Sequence, residues 1–145
     1  MIKKKIISII LAGGKGSRLK GKTPKVLLRI KNRTLIDSSI QLARKFSNNT
    51  NIVINKSLIF LKKKFSYCNF FIQKKSLGTG HAVLICLKKL NLRKSLNFLI
   101  LYADTPFISE KDINKMLAMI NYTDLVLLAF KTKDNKGCGL IKKNG

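Results

Sequence analysis

A short apolar run that leads into a glycine-rich turn constrains the fold of this chain more than any other feature. Residues 6–11 read IISIIL, and GGKGSR follows at residues 13–18. An apolar run of this length, rich in β-branched residues, predicts a strand that is buried on both faces of a parallel sheet. The glycines after it allow the backbone to turn tightly and to approach a ligand closely. Because ligands of open α/β sheets bind at the carboxyl ends of the strands, we expect a binding site at this turn.

Three cations surround the turn, namely Lys15, Arg18 and Lys25. Backbone N–H groups and cations together predict a cradle for phosphate groups. The turn is not an ATP-binding P-loop, because Gly16 stands where Ser or Thr should follow the lysine. It is not the dinucleotide fingerprint either, because Leu19 replaces the third glycine. From local physics alone, the alternative is a tight strand-to-helix turn whose cations are only solvated.

The length of the chain and the spacing of its cysteines limit the class of protein to which it can belong. The chain has 145 residues, of which 46% are hydrophobic, and this predicts one globular domain over residues 1–145. Cys68, Cys86 and Cys138 are too widely spaced for a disulfide framework or a metal site, which is typical of a reducing cytoplasm. His81 is the only histidine, and this argues against a histidine-based zinc site.

The net charge of +24 comes from 30 Lys and Arg residues against 6 Asp and Glu residues. One interpretation is binding to nucleic acid or to another anionic surface. The alternative is a lysine-rich background spread over every solvated face. The lysine clusters are scattered along the chain, and no stretch combines arginines with aromatic residues, as nucleic-acid recognition favours. We therefore expect attraction for anionic substrates in general, and not nucleic acid as the main partner.

The amino terminus has the charge pattern of a secretory signal, because KKK at residues 3–5 precedes the apolar run. That run is short, however, and it leads into another basic segment with no A-x-A-like cleavage site. No run in the sequence is long enough to span a membrane. The strand interpretation accounts for more residues, so we expect a cytoplasmic protein without a membrane partner.

Apolar periodicity predicts alternating strands and helices along the rest of the chain. We expect strands over residues 51–54, 69–73, 97–102 and 124–130, and helices over residues 35–46, 57–65, 82–90 and 110–121. Ser109 and Asp112 form a plausible capping box for the last helix. The strand at 97–102 is the most apolar and is expected to be central. This alternation predicts an α/β fold with a Rossmann-like, mostly parallel sheet flanked by helices.

Polar residues follow three of the predicted strands: the turn Gly13–Arg18, the stretch Gln73–Thr79, and Asp104. In a parallel sheet these strand ends lie on one rim, so we expect a single site there. An aspartate directly after a buried strand can hold Mg²⁺ together with phosphate oxygens. The alternative for Asp104 is a turn-capping role before Thr105-Pro106.

Four stretches carry a family resemblance: LAGGKGSRL at residues 11–19 followed by Pro24-Lys25, LGTGHA at 77–82, YADTPFI at 102–108 and GCGLI at 137–141. In this order they resemble the MobA-like nucleotidyltransferase superfamily. Within it, they resemble the N-terminal uridylyltransferase (pyrophosphorylase) domain of bacterial N-acetylglucosamine-1-phosphate uridylyltransferases. LGTGHA is the most specific of these stretches.

The resemblance implies roles for individual residues. Catalytic cations on the triphosphate would be Arg18 and Lys25, and the metal ligand would be Asp104, with Mg²⁺ as the cofactor. Nucleotide or substrate contacts would come from Leu11, Ala12, Gly13, Gly14, Gln73, Gly78, Thr79, Tyr102 and Gly139. Among these, Gln73, Gly78 and Thr79 match positions that read the uracil edge, and Gly139 matches a contact to the acetylated sugar. His81 is expected to start a helix or to pack, and Cys138 carries no chemistry.

The implied reaction is transfer of a uridylyl group from UTP to N-acetylglucosamine 1-phosphate, which supplies UDP-N-acetylglucosamine for peptidoglycan and lipopolysaccharide. Two departures from the family pattern are Ala103 in place of a glycine and Leu140 in place of an arginine. The family domain continues beyond Gly145, so the chain is expected to be a fragment, a subunit completed by another chain or an oligomer, or a transferase with a reduced acceptor site. The alternatives in function are a sibling transferase for another base or acceptor, of the sugar-phosphate or molybdopterin type, and a non-catalytic nucleotide-binding protein.

Overall fold

The predicted parallel sheet is present in the computed structural model, which describes residues 5–14, 23–90, 96–133 and 141. The strands assigned in these residues are β1 (Lys5–Leu11), β2 (Arg29–Ile30), β3 (Arg33–Thr34), β4 (Thr50–Ile54), β5 (Asn69–Ile72) and β6 (Leu96–Tyr102). Four of them form a sheet in the order β5-β4-β1-β6, and every pairing in it is parallel. The chain divides into two compact units, Met1–Phe107 and Ile108–Gly145. The sheet belongs to the first unit, and the single-domain interpretation stays a prediction.

Helices cover both faces of the sheet. The α-helices are α1 (Leu35–Phe46), α2 (Leu61–Lys64), α3 (Thr79–Leu87) and α4 (Glu110–Met119). On one face, Ser8 of β1 donates its hydroxyl to the carbonyl of Ala43 in α1 over 3.4 Å. On the other face, Ile9 packs with Ala82 and Cys86 of α3. Because side chains alternate along a strand, these contacts place α1 and α3 on opposite sides of β1.

Two local features depart from the expected pattern. The helix predicted over 57–65 is wrong: a 3₁₀ turn at Lys56–Leu58 is followed by the separate short helix α2. Asn55 begins the 3₁₀ turn, because its side-chain oxygen accepts from the Ser57 backbone N–H over 3.0 Å. The hairpin of β2 and β3 was not predicted, since two-residue strands leave no periodic pattern.

Strand β6 lies at the edge of the four-stranded sheet, so the prediction that it is central is wrong for the sheet of the described residues. Its side chains alternate between buried and exposed. Leu99 and Leu101 are buried, whereas Phe98, Ile100 and Tyr102 are 37%, 44% and 45% exposed. The three exposed residues form an apolar row that we call the β6 row. Ile100 is in register with Ile9, so the β6 row shares the face of the sheet that carries α3.

In the second unit, α4 begins with the predicted capping box. The Asp112 N–H donates to the Ser109 hydroxyl over 3.2 Å, and the Ser109 N–H donates to the Asp112 carboxylate over 2.9 Å. The strand predicted over 124–130 is wrong, because no strand is assigned to these described residues and Leu125 and Phe130 are 68% and 78% exposed. An apolar run becomes a strand only when a neighbouring strand takes up its hydrogen bonds. Across the described stretches, no helix combines the length and apolarity needed to cross a membrane.

Candidate active site

The carboxyl ends of β1, β4, β5 and β6 lie side by side, because the hydrogen-bond ladder continues past each strand. The Ala12 N–H donates to the carbonyl of Val53 over 2.8 Å, and the Gln73 N–H donates to that of Ile54 over 2.8 Å. On the other side, the Ala103 N–H donates to the Leu11 carbonyl over 3.0 Å. The structure therefore brings the strand ends that carry Gly13, Gln73 and Asp104 to one rim, as the sequence predicts.

Gln73 is held at this rim by groups from three segments. Its side-chain Nε2 donates to the carbonyl of Gly78 over 3.1 Å and lies 3.0 Å from Nδ1 of His81. Its Oε1 lies so close to Gly13 that a β-carbon on that residue would be 2.8 Å from it. Only glycine therefore fits at position 13 while the Gln73 side chain keeps this place. Gln73 is 5% exposed.

The stretch that precedes α3 needs glycine for another reason. Gly78 has φ = 92°, a conformation that side chains disfavour, and no atom lies within 4 Å of where its β-carbon would be. Its carbonyl also accepts from the Ala82 N–H over 3.3 Å, which begins α3. Thr79 follows as the first residue of α3 and is exposed. His81 lies in the first turn of the same helix. Its contact with Gln73 was not predicted, because two residues on different elements share no local sequence pattern.

An open cleft of about 520 Å³ borders Gln73 at the ends of β4 and β5. It is lined by Asn55, Lys56, Ser57, Gln73, Lys74, Lys75 and Ser76. Asn55 also donates its side-chain amide to the carbonyl of Gly13 over 3.3 Å, so it ties the glycine-rich turn to β4. Asn55 was not predicted as a site residue. It is a polar residue directly after a buried strand, which is the same pattern that predicted Asp104. The cationic lining favours an anionic ligand.

At the other end of the rim, Lys25 and Asp104 form an ion pair. Lys25 Nζ lies 2.6 Å from Asp104 Oδ2, and the side chains are 44% and 33% exposed. The two residues are 79 positions apart in sequence, so the fold joins the Pro24-Lys25 and YAD stretches. Next to them, the carbonyl of Tyr102 accepts hydroxyl hydrogens from Ser39 over 3.2 Å and from Thr105 over 3.0 Å. These contacts hold the backbone just before Asp104, while its carboxylate stays partly accessible.

The Asp104 carboxylate has the chemistry to hold a divalent cation together with phosphate oxygens. Mg²⁺ is usually bound by one or two carboxylates together with substrate phosphates, and not by a cage of protein ligands. Within residues 5–14, 23–90, 96–133 and 141, no group of three or more His, Cys, Asp or Glu side chains could hold a metal ion by itself. A single accessible carboxylate beside a lysine matches this substrate-assisted type of site.

The remaining predicted residues occupy the rim in less specific ways. Leu11 is half-buried and packs against the cluster of Ile9, Val53, Ala82 and Cys86. Ala12 is buried, and a β-carbon at Gly14 would meet no atom within 4 Å. Arg18, Gly139 and Cys138 lie outside the described residues, so their predicted roles stay predictions.

Solved structures with the same fold include two that are named as transferases, one for nucleotidyl groups and one for CTP. A nucleotidyl transferase from Methanothermobacter thermautotroptrophicus aligns with a TM-score of 0.67 at 14% identity, over 80% of this chain and 58% of that one. Rv0371C from Mycobacterium tuberculosis in complex with manganese gives 0.64 at 13%, over 80% and 59%. The inositol-1-phosphate CTP transferase from T. maritima gives 0.58 at 22%, over 70% and 44%. At these identities the likeness shows the fold.

The family is shown by sequence. The sequence model of the MobA-like NTP transferase domain matches residues 8–140, so the chain belongs to this family. The chain is similar to the "Bifunctional protein GlmU" of Buchnera aphidicola subsp. Acyrthosiphon pisum, with 34% identity over 153 aligned positions that cover 100% of this chain and 32% of the relative. The GlmU of Thermotoga maritima is 32% identical over 140 positions, which cover 95% and 31%. The chain therefore spans about a third of the length of these relatives, at their N-terminal pyrophosphorylase domain.

Proposed function

We propose that this protein transfers a uridylyl group from UTP to N-acetylglucosamine 1-phosphate with Mg²⁺ as cofactor. The products would be UDP-N-acetylglucosamine, a cell-envelope precursor made in the cytoplasm, and pyrophosphate. The observation that carries this proposal is the 2.6 Å contact between Lys25 and Asp104. It supports the proposal because it brings together, at one end of the sheet, a cation of the kind that binds phosphate and a carboxylate of the kind that binds a metal. Similarity to the GlmU relatives over the whole chain supports the choice of substrates.

The reaction needs no nucleophile from the protein. A phosphate oxygen of the sugar 1-phosphate attacks the α-phosphorus of UTP, the bond from that phosphorus to the bridging oxygen breaks, and pyrophosphate leaves with the electron pair. Catalysis then depends on placing the two anions in line and on balancing the negative charge that builds on the phosphates. The cationic rim supplies both effects.

Each residue of the Lys25–Asp104 pair takes one part of this task. Lys25 turns its ammonium group from Asp104 to the triphosphate, and Arg18 provides a second cation by family resemblance. Asp104, once released from Lys25, would be the residue that holds Mg²⁺. The metal, when bound, supplies charge neutralisation and orients the phosphates. The exposure of both side chains allows this exchange without a change in the fold.

Asp104→Ala tests the proposal. We expect the wild-type chain to release pyrophosphate from UTP, N-acetylglucosamine 1-phosphate and Mg²⁺, and the variant to lose about 100-fold or more of this rate, because the metal loses its protein ligand. Asp124→Ala is the matched control, since Asp124 is an exposed aspartate of the second unit. A folded wild-type chain with neither pyrophosphate release nor Mg²⁺-dependent UTP binding would contradict the proposal.

A second base is tested in the same assay, because one of the structural neighbours is named as a CTP transferase. Turnover with CTP that exceeds turnover with UTP would retain nucleotidyl transfer and overturn the assignment of uracil. The two outcomes are separable, since Asp104→Ala should abolish either reaction.

A further inference from the structure

The carboxamide of Gln73 makes more defined contacts than a base-contacting side chain needs. It is 5% exposed, its Nε2 donates to the carbonyl of Gly78 over 3.1 Å and lies 3.0 Å from the ring of His81, and a β-carbon on Gly13 would be 2.8 Å from its Oε1. These partners come from the turn after β1, the stretch before α3, and α3 itself. Gly78 and His81 restrict Nε2 of the carboxamide, and the closeness of Gly13 restricts Oε1.

The chemistry of these partners fixes which way the carboxamide faces. A backbone carbonyl only accepts hydrogen bonds, so the NH₂ group of Gln73 must face Gly78. The same NH₂ group lies 3.0 Å from His81 Nδ1, and a nitrogen that receives a hydrogen bond must carry a lone pair. His81 therefore has its ring proton on Nε2. Both N–H bonds of Gln73 are then used, and Oε1 is left as an acceptor above Gly13.

We infer that His81 is a positioning residue that holds the Gln73 carboxamide with its oxygen towards the nucleotide base. The inference rests on the proposed function, because it assumes that the base lies at the glycine-rich turn. An acceptor at this place suits the N3–H group of uracil. Cytosine has a lone pair at the same ring position, so the contact becomes repulsive. His81 would thereby contribute to the choice of UTP over CTP without touching either nucleotide.

A purely structural histidine would behave differently. His81 is half-buried in the first turn of α3, so its replacement removes packing and lowers stability whatever its role. Packing alone, however, has no reason to alter the ratio of UTP to CTP affinity. That ratio therefore separates a positioning role from a structural one.

The experiment compares His81→Leu with His81→Asn in the full chain. Leucine fills the space but accepts no hydrogen bond, whereas the side-chain oxygen of asparagine can occupy the place of Nδ1. We expect His81→Leu to reduce the UTP-to-CTP affinity ratio, measured by Mg²⁺-dependent binding titrations, by about three- to tenfold, the equivalent of one hydrogen bond. His81→Asn should keep that ratio within about twofold. A ratio unchanged in a folded His81→Leu variant that binds both nucleotides would overturn the inference, as would an equal loss in His81→Asn.

A second readout needs no nucleotide. The side-chain NH₂ signals of Gln73 in an amide NMR spectrum, assigned by their loss in Gln73→Glu, report the contact with His81 directly. We expect them to shift in His81→Leu and to stay near their wild-type positions in His81→Asn. Unchanged signals in His81→Leu would overturn the inference. If the wild-type chain binds neither nucleotide but these signals shift as expected, the proposed function fails and the positioning contact stands.

Discussion

The two ends of the rim hold their key side chains by different means. Gln73 is nearly buried and is fixed by neutral hydrogen bonds to Gly78 and His81. Lys25 and Asp104 form an ion pair whose side chains are 44% and 33% exposed. A buried polar group whose hydrogen bonds are satisfied has one stable arrangement, whereas an exposed ion pair contributes only about 0–1 kcal/mol and exchanges partners easily. Under the proposed function, the Gln73 end is the base side and is preformed, and the Lys25–Asp104 end is the phosphate side, whose charges would change partners when a ligand arrives.

The largest effect on this comparison is expected from Gly13→Ala, paired with Gly14→Ala. A β-carbon at Gly13 would lie 2.8 Å from Gln73 Oε1, whereas one at Gly14 would meet no atom within 4 Å. Because Gln73 is anchored at its nitrogen, it cannot move away without losing hydrogen bonds. We expect Gly13→Ala to lower the free energy of unfolding in urea by about 1–3 kcal/mol and Gly14→Ala to change it by less than about 0.5 kcal/mol. Equal effects in the two variants would contradict a preformed base side.

Lys25→Met tests the exchangeable side and should have a smaller effect. Without the ammonium group, the Asp104 carboxylate loses the cation that pairs with it among the described residues. The affinity for Mn²⁺ without nucleotide, measured from free Mn²⁺ by electron paramagnetic resonance, should rise about two- to fivefold, as expected for an exposed ion pair. Lys64→Met is the matched control, because Lys64 pairs with Asp37 at 3.1 Å. Should Lys25→Met weaken Mn²⁺ binding, Lys25 would be a support of the metal site and not its competitor.

The Lys64–Asp37 pair shows what a structural ion pair looks like in the same unit. Burial tends to raise the pKa of Asp37, but hydrogen bonds from Thr34 and Lys64 outweigh it and hold that pKa below its usual value of 3.8. A carboxylate with a depressed folded-state pKa stabilises the fold above its unfolded-state pKa, and the contribution is lost as pH falls through the folded-state pKa.

The smallest expected effect is therefore a pH-dependent one. The difference in urea midpoint between the wild-type chain and Asp37→Asn should stay constant from neutral pH down to about pH 4 and shrink below that value. A difference that grows on acidification would show that the sign of the pKa shift is wrong.

Patterns among neighbouring residues predicted those elements that neighbouring residues alone determine. The apolar runs of β1, β4 and β5, the periodicity of α1 and the capping box of α4 each lie within a few neighbouring residues. The strand ends at one rim also followed, because parallel topology alone places them there. These features need no knowledge of a distant partner.

The features that could not be predicted depend on partners far away in the chain. The apolarity of β6 gave no information on its edge position, because strand order is decided by pairing and not by composition. The run at 124–130 has a strand-like sequence but no assigned strand partner among the described residues. Gly13 was expected for its turn, whereas the structure shows that the closeness of Gln73 also requires it. The contact of Gln73 with His81 joins two elements whose local patterns are independent.

The edge position of β6 has a consequence for the colloidal behaviour of the purified chain. In the described part of the chain, no strand pairs with the outer edge of β6, and the β6 row adds apolar surface beside it. Free strand edges of this kind promote aggregation. The net charge of +24 opposes such contact in dilute buffer, because every molecule repels its neighbours. Salt shortens the range of that repulsion to about 10 Å at 0.1 M. The same salt that keeps a basic protein from adhering to polyanions therefore also allows the free β6 edges of two molecules to come into contact.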